Sequence, residues 1–396
     1  MSPKHVTSTP VPTLTSLSLS CLESHMSTLL ASIASLQEQY QRQGQEKSVM
    51  CANLEAELQA AMSVAQITQY HWDDFQTEDD QLGQGINCSV LACHSTALAG
   101  VVLKKGPSLV LADEAKMMRL VSHPCVIRLH GTVHREEKDA DYLVIEELGD
   151  DLAKVMDYRR LTVREIVVGC HSVAAGLAGC HSRGVVHQDI RPANILLTTD
   201  GVHCKVADFG SAAPTHIGSK LNRAQTCMCA IGLESPETAR GFLNHGFHFV
   251  MPQSDVWQPG LLLLDLTESN RPAAHLHCLN SSQFVEELRQ GVQDPRTVPR
   301  QKAQLEYLAG LRDAGVPDSA YSDQITWAVP PVDADDEISA YEEVKAIIRS
   351  CLSVQFRVRT TAAGVQKQLG VIMRHRGWTN SLLDAVSGNA ASEMTP

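Results

Sequence analysis

Residues 187–194 read His-Gln-Asp-Ile-Arg-Pro-Ala-Asn, and Ala-Asp-Phe-Gly follows at 207–210. No other stretch constrains the architecture of the chain so tightly. Asp189 and Asn194 stand five residues apart, and a third metal-competent side chain, Asp208, follows within twenty positions. Ile195-Leu196-Leu197 is an apolar run short enough for a buried strand; a Thr-Thr-Asp-Gly turn and Cys204-Lys205-Val206-Ala207 come next. The pattern predicts a hairpin that brings the two acidic positions towards each other. That set of groups suits phosphoryl transfer, with one carboxylate near an attacking hydroxyl and Asn plus a second carboxylate as oxygen ligands of Mg²⁺.

Composition narrows the setting. With 396 residues, 43% apolar and 20% charged, the chain can bury one large catalytic domain and carry appendages. A net charge of −12 argues against non-specific nucleic-acid binding, which needs a basic surface. No run of about eighteen apolar residues occurs, so no membrane span is expected. The first residues lack the apolar core of a signal peptide; their Ser/Thr-rich, acid-poor character is compatible with an organellar transit segment. The 12 cysteines have no paired spacing, Cys227-x-Cys229 being the nearest pair. They read as thiols of a reducing compartment, the cytosol or nucleus.

Residues 1–20, rich in Ser, Thr and Pro, read as disordered. Over 21–70, Leu22, Met26, Leu29, Ile33, Leu36 and Tyr40 fall at heptad spacing. Gly44 interrupts them, and Cys51, Leu54, Leu58, Ala61 and Ala65 continue on a second helical stretch. Two readings stand: a short coiled coil that oligomerises or docks a partner protein, or two amphipathic helices folded back. Around Trp72, the acidic residues Asp73, Asp74, Glu78, Asp79 and Asp80 read as a solvated linker. From 78 to 375, alternating apolar runs give way to longer helical patterns, which predicts a small sheet-rich lobe before a helical one.

Paired at their observed distance, the 187–194 and 207–210 stretches closely resemble the catalytic loop and Asp-Phe-Gly segment of protein kinases. The resemblance implies an α+β, two-lobed kinase-like fold, with a small β-rich N-lobe, a larger helical C-lobe and the N-terminal helical extension. Residues 82–90, from Leu82-Gly83-Gln84-Gly85 through Cys88 to Val90, resemble the glycine-rich loop over the ATP phosphates, with Cys88 in place of the third glycine. Val101-Val102-Leu103-Lys104 is similar to the strand whose Lys contacts those phosphates. Lys105 competes for that part, because strand alternation lets only one of the two point inward; alignment with Val90 favours Lys104. Glu114, nine residues before His123, resembles the helix Glu that pairs with this Lys. Tyr142–Leu148 looks like the strand and hinge that accept adenine. There Ile145 would guard the rear of the pocket, Glu146 and Leu148 would belong to the hinge, and Val90, Val102 and Leu196 would sandwich the ring.

The resemblance assigns Asp189 as catalytic base and Arg191 to charge developing on the transferred phosphate. Asn194 and Asp208 would hold Mg²⁺. Ser235-Pro236-Glu237 resembles the family's Ala-Pro-Glu, with Arg359 as the expected buried partner of Glu237. Ser254-Asp255-Val256-Trp257 resembles the helix start whose Asp ties down the catalytic loop, with Pro259 expected in the first turn. Residues 273–345 are longer than the family usually shows there. With Pro295, Pro299, Pro317 and Pro330-Pro331 around a helical segment near 301–313, they read as an insertion. Residues 376–396 read as a flexible tail.

Departures also stand out. Gln188 replaces the Arg that usually meets a phosphate on the activation segment, so activity is expected to depend little on phosphorylation between Asp208 and Glu237, where Ser211, Thr215, Ser219 and Thr226 read either as phosphosites or as solvated hydroxyls. Ala230 and Leu233 match neither the usual Ser/Thr nor the usual Tyr pattern. The expected function is ATP- and Mg²⁺-dependent phosphorylation of protein hydroxyls, Ser/Thr before Tyr. The alternative is a pseudokinase that binds ATP or serves as a scaffold. A lipid or small-molecule kinase is disfavoured by the Glu237 and Arg359 match.

Overall fold

The computed structural model describes residues 67–84, 88–198, 203–215, 233–245, 250–267, 306–311, 315–325, 327, 335–380 and 383. The expected disordered start, the heptad region up to Ala65, Gly85, Ser219, Thr226, Ala230 and most of 273–345 lie outside them.

The first lobe is a six-stranded sheet of β1 (Thr68–Tyr70), β2 (Phe75–Gln84), β3 (Ser89–Ser95), β4 (Val101–Lys105), β5 (Leu129–Arg135) and β6 (Ala140–Glu146). Their order is β1-β5-β6-β4-β3-β2, antiparallel except for β1 against β5. Helix α1 (Ser108–Leu120) covers one face. Strand alternation sorts the side chains: Val101 and Leu103 of β4 join Phe75, Val133, Tyr142 and Val144 in a small cluster. Val102 faces the other way, with Leu143 and Ile145, against Leu111, Ala115 and Met118 of α1. Lys104 shares the Val102 face by the same period of two.

The second lobe is helical. It contains α2 (Leu152–Tyr158), α3 (Val163–Ser182), α4 (Pro236–His245), α5 (Pro252–Leu266), α6 (Asp335–Cys351) and α7 (Ala362–His375). Two short strand pairs support the cleft: β7 (Val185–Val186) pairs with β10 (Ala213–Pro214), and β8 (Ile195–Leu197) with β9 (Cys204–Val206). Thr162 starts α3 with a capping box to Glu165. This helix is long and apolar enough to cross a bilayer, but most of it is buried inside the lobe, as a core helix is. Helix α5 buries Val256, Trp257, Leu261, Leu262, Leu263 and Leu264 together with the polar Asp255 and Gln258, so most of its surface lies inside the lobe. Gly260 lets α6 come close: a Cβ there would lie 2.7 Å from the Cβ of Cys351.

Several expected boundaries move. Thr68–Tyr70, assigned to the helical extension, is a strand of the sheet, and Ile67 is buried in the main core. Trp72 is not part of a solvated linker: its ring lies 5.0 Å from that of Tyr142, under the Arg135 guanidinium at 4.6 Å. The expected insertion edge at 345 falls inside α6, where Ala340, Tyr341 and Val344 are buried. A helical stretch at 306–310 lies within the segment expected near 301–313. The tail expected from 376 is docked at its start, for Asn380 is buried and its amide donates to His171 Nδ1 (3.1 Å) and Ser172 Oγ (2.9 Å). Pro259 lies mid-helix rather than in the first turn, because α5 begins at Pro252. Its missing N–H leaves the Asp255 carbonyl without a helical donor, and the surrounding apolar contacts carry the helix through to Leu266.

Docking of β1 depends on Gly131. A Cβ at that position would meet the Thr68 carbonyl oxygen and come within 2.6 Å of the Tyr70 ring. Gly131→Ala should therefore destabilise the protein by about 1–3 kcal/mol, the range for overpacking a tight site. Urea unfolding measures this, and adding Tyr70→Ala should recover part of the loss. An unchanged midpoint in Gly131→Ala would mean that β1 is not held there.

Candidate active site

The cleft between the lobes gathers residues from β4, α1, the loop after β7 and the segment after β9. Lys104 on β4 is buried, and its Nζ donates to Glu114 Oε1 at 2.6 Å and to Asp208 Oδ1 at 2.8 Å. Lys105 makes neither contact. Glu114 lies in the middle of α1, and its Oε1 also accepts the Phe209 N–H at 3.2 Å. One ammonium thus faces two carboxylates in different surroundings. Burial pushes the fully enclosed Glu114 carboxyl up, against the pull of Lys104. Lys104 draws Asp208, whose side chain is 46% exposed, down to about 2. For Lys104, burial opposes the charge, but Asp208 and Glu114 outweigh it and raise the ammonium above its ordinary value.

The loop after β7 is fixed from below. Asp255 on α5 accepts the His187 N–H (2.8 Å) and Gln188 N–H (2.7 Å), and His181 Nε2 lies 2.9 Å from its Oδ2. His187 accepts the Asp189 N–H at Nδ1 (3.3 Å), while its Nε2 donates to the Ala207 carbonyl (3.1 Å), which fixes the tautomer. The ring also packs edge-on against Phe209. Asp189 Oδ2 accepts from Asn194 Nδ2 at 2.6 Å and from Arg191 Nε at 3.2 Å. The Asn194 amide nitrogen donates as well to the Asp189 carbonyl at 2.8 Å, so both bonds use its nitrogen and neither its side-chain oxygen. Gln188 and Asp208 both have positive φ, 68° and 60°; Asp139 is the remaining such non-glycine residue among those described. Backbone strain of this kind concentrates at functional sites.

Val102 and Ile145, paired across β4 and β6, are buried in the large core that runs through both lobes, and Cys88, Val90, Leu148 and Leu196 pack against that core; Val90 is the strand partner of Lys104. Leu82 is exposed and Gly83 is paired with Val90. Of Gln84 the backbone alone is described. Glu146 turns its carboxylate away from this cluster: it takes Lys205 Nζ at 2.7 and 2.9 Å and the Arg128 N–H at 2.7 Å. Its backbone N–H is engaged as well, donating to the Arg128 carbonyl at 3.0 Å. Two open cavities of about 690 and 660 Å³ flank β1, and neither is lined by Lys104, Asp189 or Asp208.

The donor set fits Mg²⁺ in a particular way. Asp208 and Asn194 offer hard oxygens, yet among the described residues no three His, Cys, Asp or Glu side chains converge to hold an ion. One carboxylate and one amide completed by phosphate oxygens is how this cation is usually held.

Away from the cleft, Arg359 grips Glu237 with two bonds, Nη1 to Oε1 at 2.7 Å and Nη2 to Oε2 at 3.0 Å. Nη1 also donates to the Gln253 carbonyl and Nε to that of Ser353. Burial opposes the Glu237 charge, but Arg359 and the Ser254 hydroxyl hold the carboxyl below its usual range. The pair had been expected from sequence. Gln258 had not: it sits one turn after Asp255 and binds the catalytic loop on the same helix face, a spacing that carried the signal.

Residues 76–369 match the family model described as "Protein kinase domain". The chain is similar to a probable serine/threonine-protein kinase of Arabidopsis thaliana, 31% identical over 201 residues, 47% of this chain and 33% of the relative. It is similar also to cyclin-dependent kinase C-2 C of the same plant, 28% identical over 235 residues, 54% of this chain and 35% of the relative. Against serine/threonine-protein kinase STK11 of Gallus gallus it is 30% identical over 163 residues, 40% of this chain and 36% of the relative. The chain thus spans about a third of the length of the curated relatives it matches.

Two outcomes follow from these ion pairs. Replacing Arg359 by Met leaves the Glu237 carboxylate buried without its partner and should cost about 3–5 kcal/mol of unfolding free energy. A loss of less than about 1 kcal/mol would reduce the pair to a surface-like contact. For Asp208, the folded state holds the carboxyl below its ordinary value, so its stabilisation is present above that value and fades as pH falls towards about 2. The stability advantage of wild type over Asp208→Asn should therefore shrink between about pH 5 and about pH 2 in urea titrations. A constant difference over that interval would contradict the Lys104 pairing.

Proposed function

Because the chain belongs to the protein kinase family, we propose that it transfers the γ-phosphate of ATP to hydroxyl groups of proteins, Ser and Thr foremost. The observation that carries this reading is the double engagement of Lys104 by Glu114 and Asp208, beside an Asp189 already bound by Asn194. Magnesium ATP, when bound, supplies the phosphoryl group and the cation that offsets its charge. Asp189 orients the incoming hydroxyl and takes its proton. Asn194 and Asp208 offer the oxygens for the cation, and Asn194 keeps the Asp189 carboxylate aimed. Lys104, kept charged by its two carboxylates, meets the phosphates; Glu114 stops it from following Asp208 alone. Arg191, next to Asp189, offsets charge at the transferred group. Val90, Val102, Ile145, Leu148 and Leu196 supply apolar walls for the base, with the Glu146 and Leu148 backbone at the hinge and Leu82 to Gly85 over the phosphates. A loose transition state asks mostly for such positioning and charge stabilisation, so no covalent nucleophile is needed. The Ser/Thr preference draws support from the names of the relatives.

The rival reading, a pseudokinase, is favoured by Cys88, Gln188 and Leu233 at or near the cleft. Radiolabelled ATP with generic protein substrates separates the two. Wild type should label substrate, and Asp189→Asn should lower the rate by about 10²–10⁴, the range for loss of a positioned proton acceptor. Equal labelling by both proteins would remove Asp189 from its role, and a silent wild type would leave the pseudokinase. Phosphoamino-acid analysis of the product should return phosphoserine or phosphothreonine. Since Gln188 carries no charge for a phosphate to meet, prior phosphatase treatment should leave the rate within about twofold.

A further inference from the structure

Outside the residues already given roles, one buried side chain makes an unusual pair of bonds. Gln258 Oε1 accepts the N–H of Ile190 at 2.7 Å, and its Nε2 donates to the carbonyl of Gln188, also at 2.7 Å. The two main-chain groups lie on either side of Asp189. Gln258 is 5% exposed and Ile190 fully buried, so water does not compete for either bond. The amide can sit only one way round: reversed, it would set N–H against N–H and oxygen against oxygen. A side chain of this reach carrying both a donor and an acceptor is required here. An ionised Glu would lack the donor, Met would lack both, and Ser is too short to span the two groups.

The chain of contacts continues. Gln188, held at a φ of 68°, has its N–H on Asp255 and its carbonyl on Gln258. Its own amide then donates to the Ser211 carbonyl at 2.6 Å, three residues past Asp208. Helix α5 is thereby linked through two uncharged amides to the backbone around Asp189 and to the segment that follows Asp208.

We propose that Gln258 is a positioning residue for Asp189, and that with Gln188 it forms a neutral relay fixing the catalytic loop to the segment after Asp-Phe-Gly without a phosphate. This inference rests on the phosphotransferase reading. It assigns Gln258 no contact with substrate; the residue acts by fixing the main chain that carries Asp189.

The test is steady-state kinetics of the full chain with a generic protein substrate, for wild type, Gln258→Met and Gln258→Glu. Met keeps the volume and removes both bonds, and Glu keeps the acceptor for Ile190. Gln258→Met should lower kcat by about tenfold or more, as small misplacements of a reacting group do, while the KM for ATP stays within about twofold. Gln258→Glu should fall between it and wild type. A general loss of structure would instead lower the active fraction and leave the kcat of the remaining active sites unchanged, which titration with a tight nucleotide analogue reads out. Unchanged kcat per active site in Gln258→Met overturns the proposal while leaving the phosphotransferase reading intact. Should Gln258→Met not fold, Gln258→Glu carries the same criterion. A wild type that transfers no phosphate removes that reading, and this inference with it.

Discussion

The loop at 187–194 hangs from one buried carboxylate. Asp255 is 1% exposed, a position in which an unpartnered charge would be expelled or neutralised. Burial does push its carboxyl up, but His181 and the donors of the loop more than compensate and hold it below its ordinary value. Those donors are the main-chain N–H groups of His187 and Gln188. They have no strand or helix partner at that point, so the charge and the orphan donors satisfy each other. The strained turn at Gln188 persists because its flanking groups are bound on both sides. Asp189, the next residue, inherits its direction from that turn.

A second balance operates at the top of the cleft. Lys104 is one positive charge set between two negative ones, and the surroundings divide the work. The enclosed Glu114 serves as a fixed strut, also receiving the Phe209 N–H. The half-exposed Asp208 keeps its charge and faces the open side. Because Phe209 is buried against His187 and bound to Glu114, the placement of helix α1, strand β4 and the loop after β7 is a single problem rather than three. Strand β1 enters this through Ile67, which packs in the same core as Met118 and Val121 near the end of α1.

Most of this was legible where local chemistry and spacing decide the outcome. The β8–β9 hairpin followed from the apolar runs and the turn between them, the choice of Lys104 over Lys105 from period-two alternation and alignment with Val90, and the partnership of Glu237 with Arg359 from the family resemblance alone. The boundaries were less legible. Thr68–Tyr70 is a strand only because β5 offers an edge and Gly131 leaves room for the Tyr70 ring, and neither fact is local to residues 68–70. Trp72 sits among acidic residues that suggested solvent, yet its ring is covered by Tyr142 and Arg135 from distant strands. Asn380 had no periodic neighbours to mark it; its partners lie on α3. Glu146 matched the hinge position, and the sequence held no sign that Lys205 would claim its side chain.

Helix α5 ties the loop at 187–194 and the segment around Glu237 to one element. Its first turn meets the far end of the activation segment: the Gln253 carbonyl accepts from Arg359, and the Ser254 hydroxyl donates to Glu237. One turn further, Asp255 and Gln258 hold the catalytic loop. A helix of this length, buried on all sides, moves as a rigid body, so two segments tied to adjacent turns share one frame. A phosphate–arginine link achieves registration by bringing charge to a loop from outside. Here the registration runs through the protein interior, where neutral amides cost less to bury than ions do. The substitution of Gln for Arg at 188 is then coherent with Gln at 258, since the short, uncharged side chain at 188 reaches Ser211 directly from a backbone that 258 has already fixed.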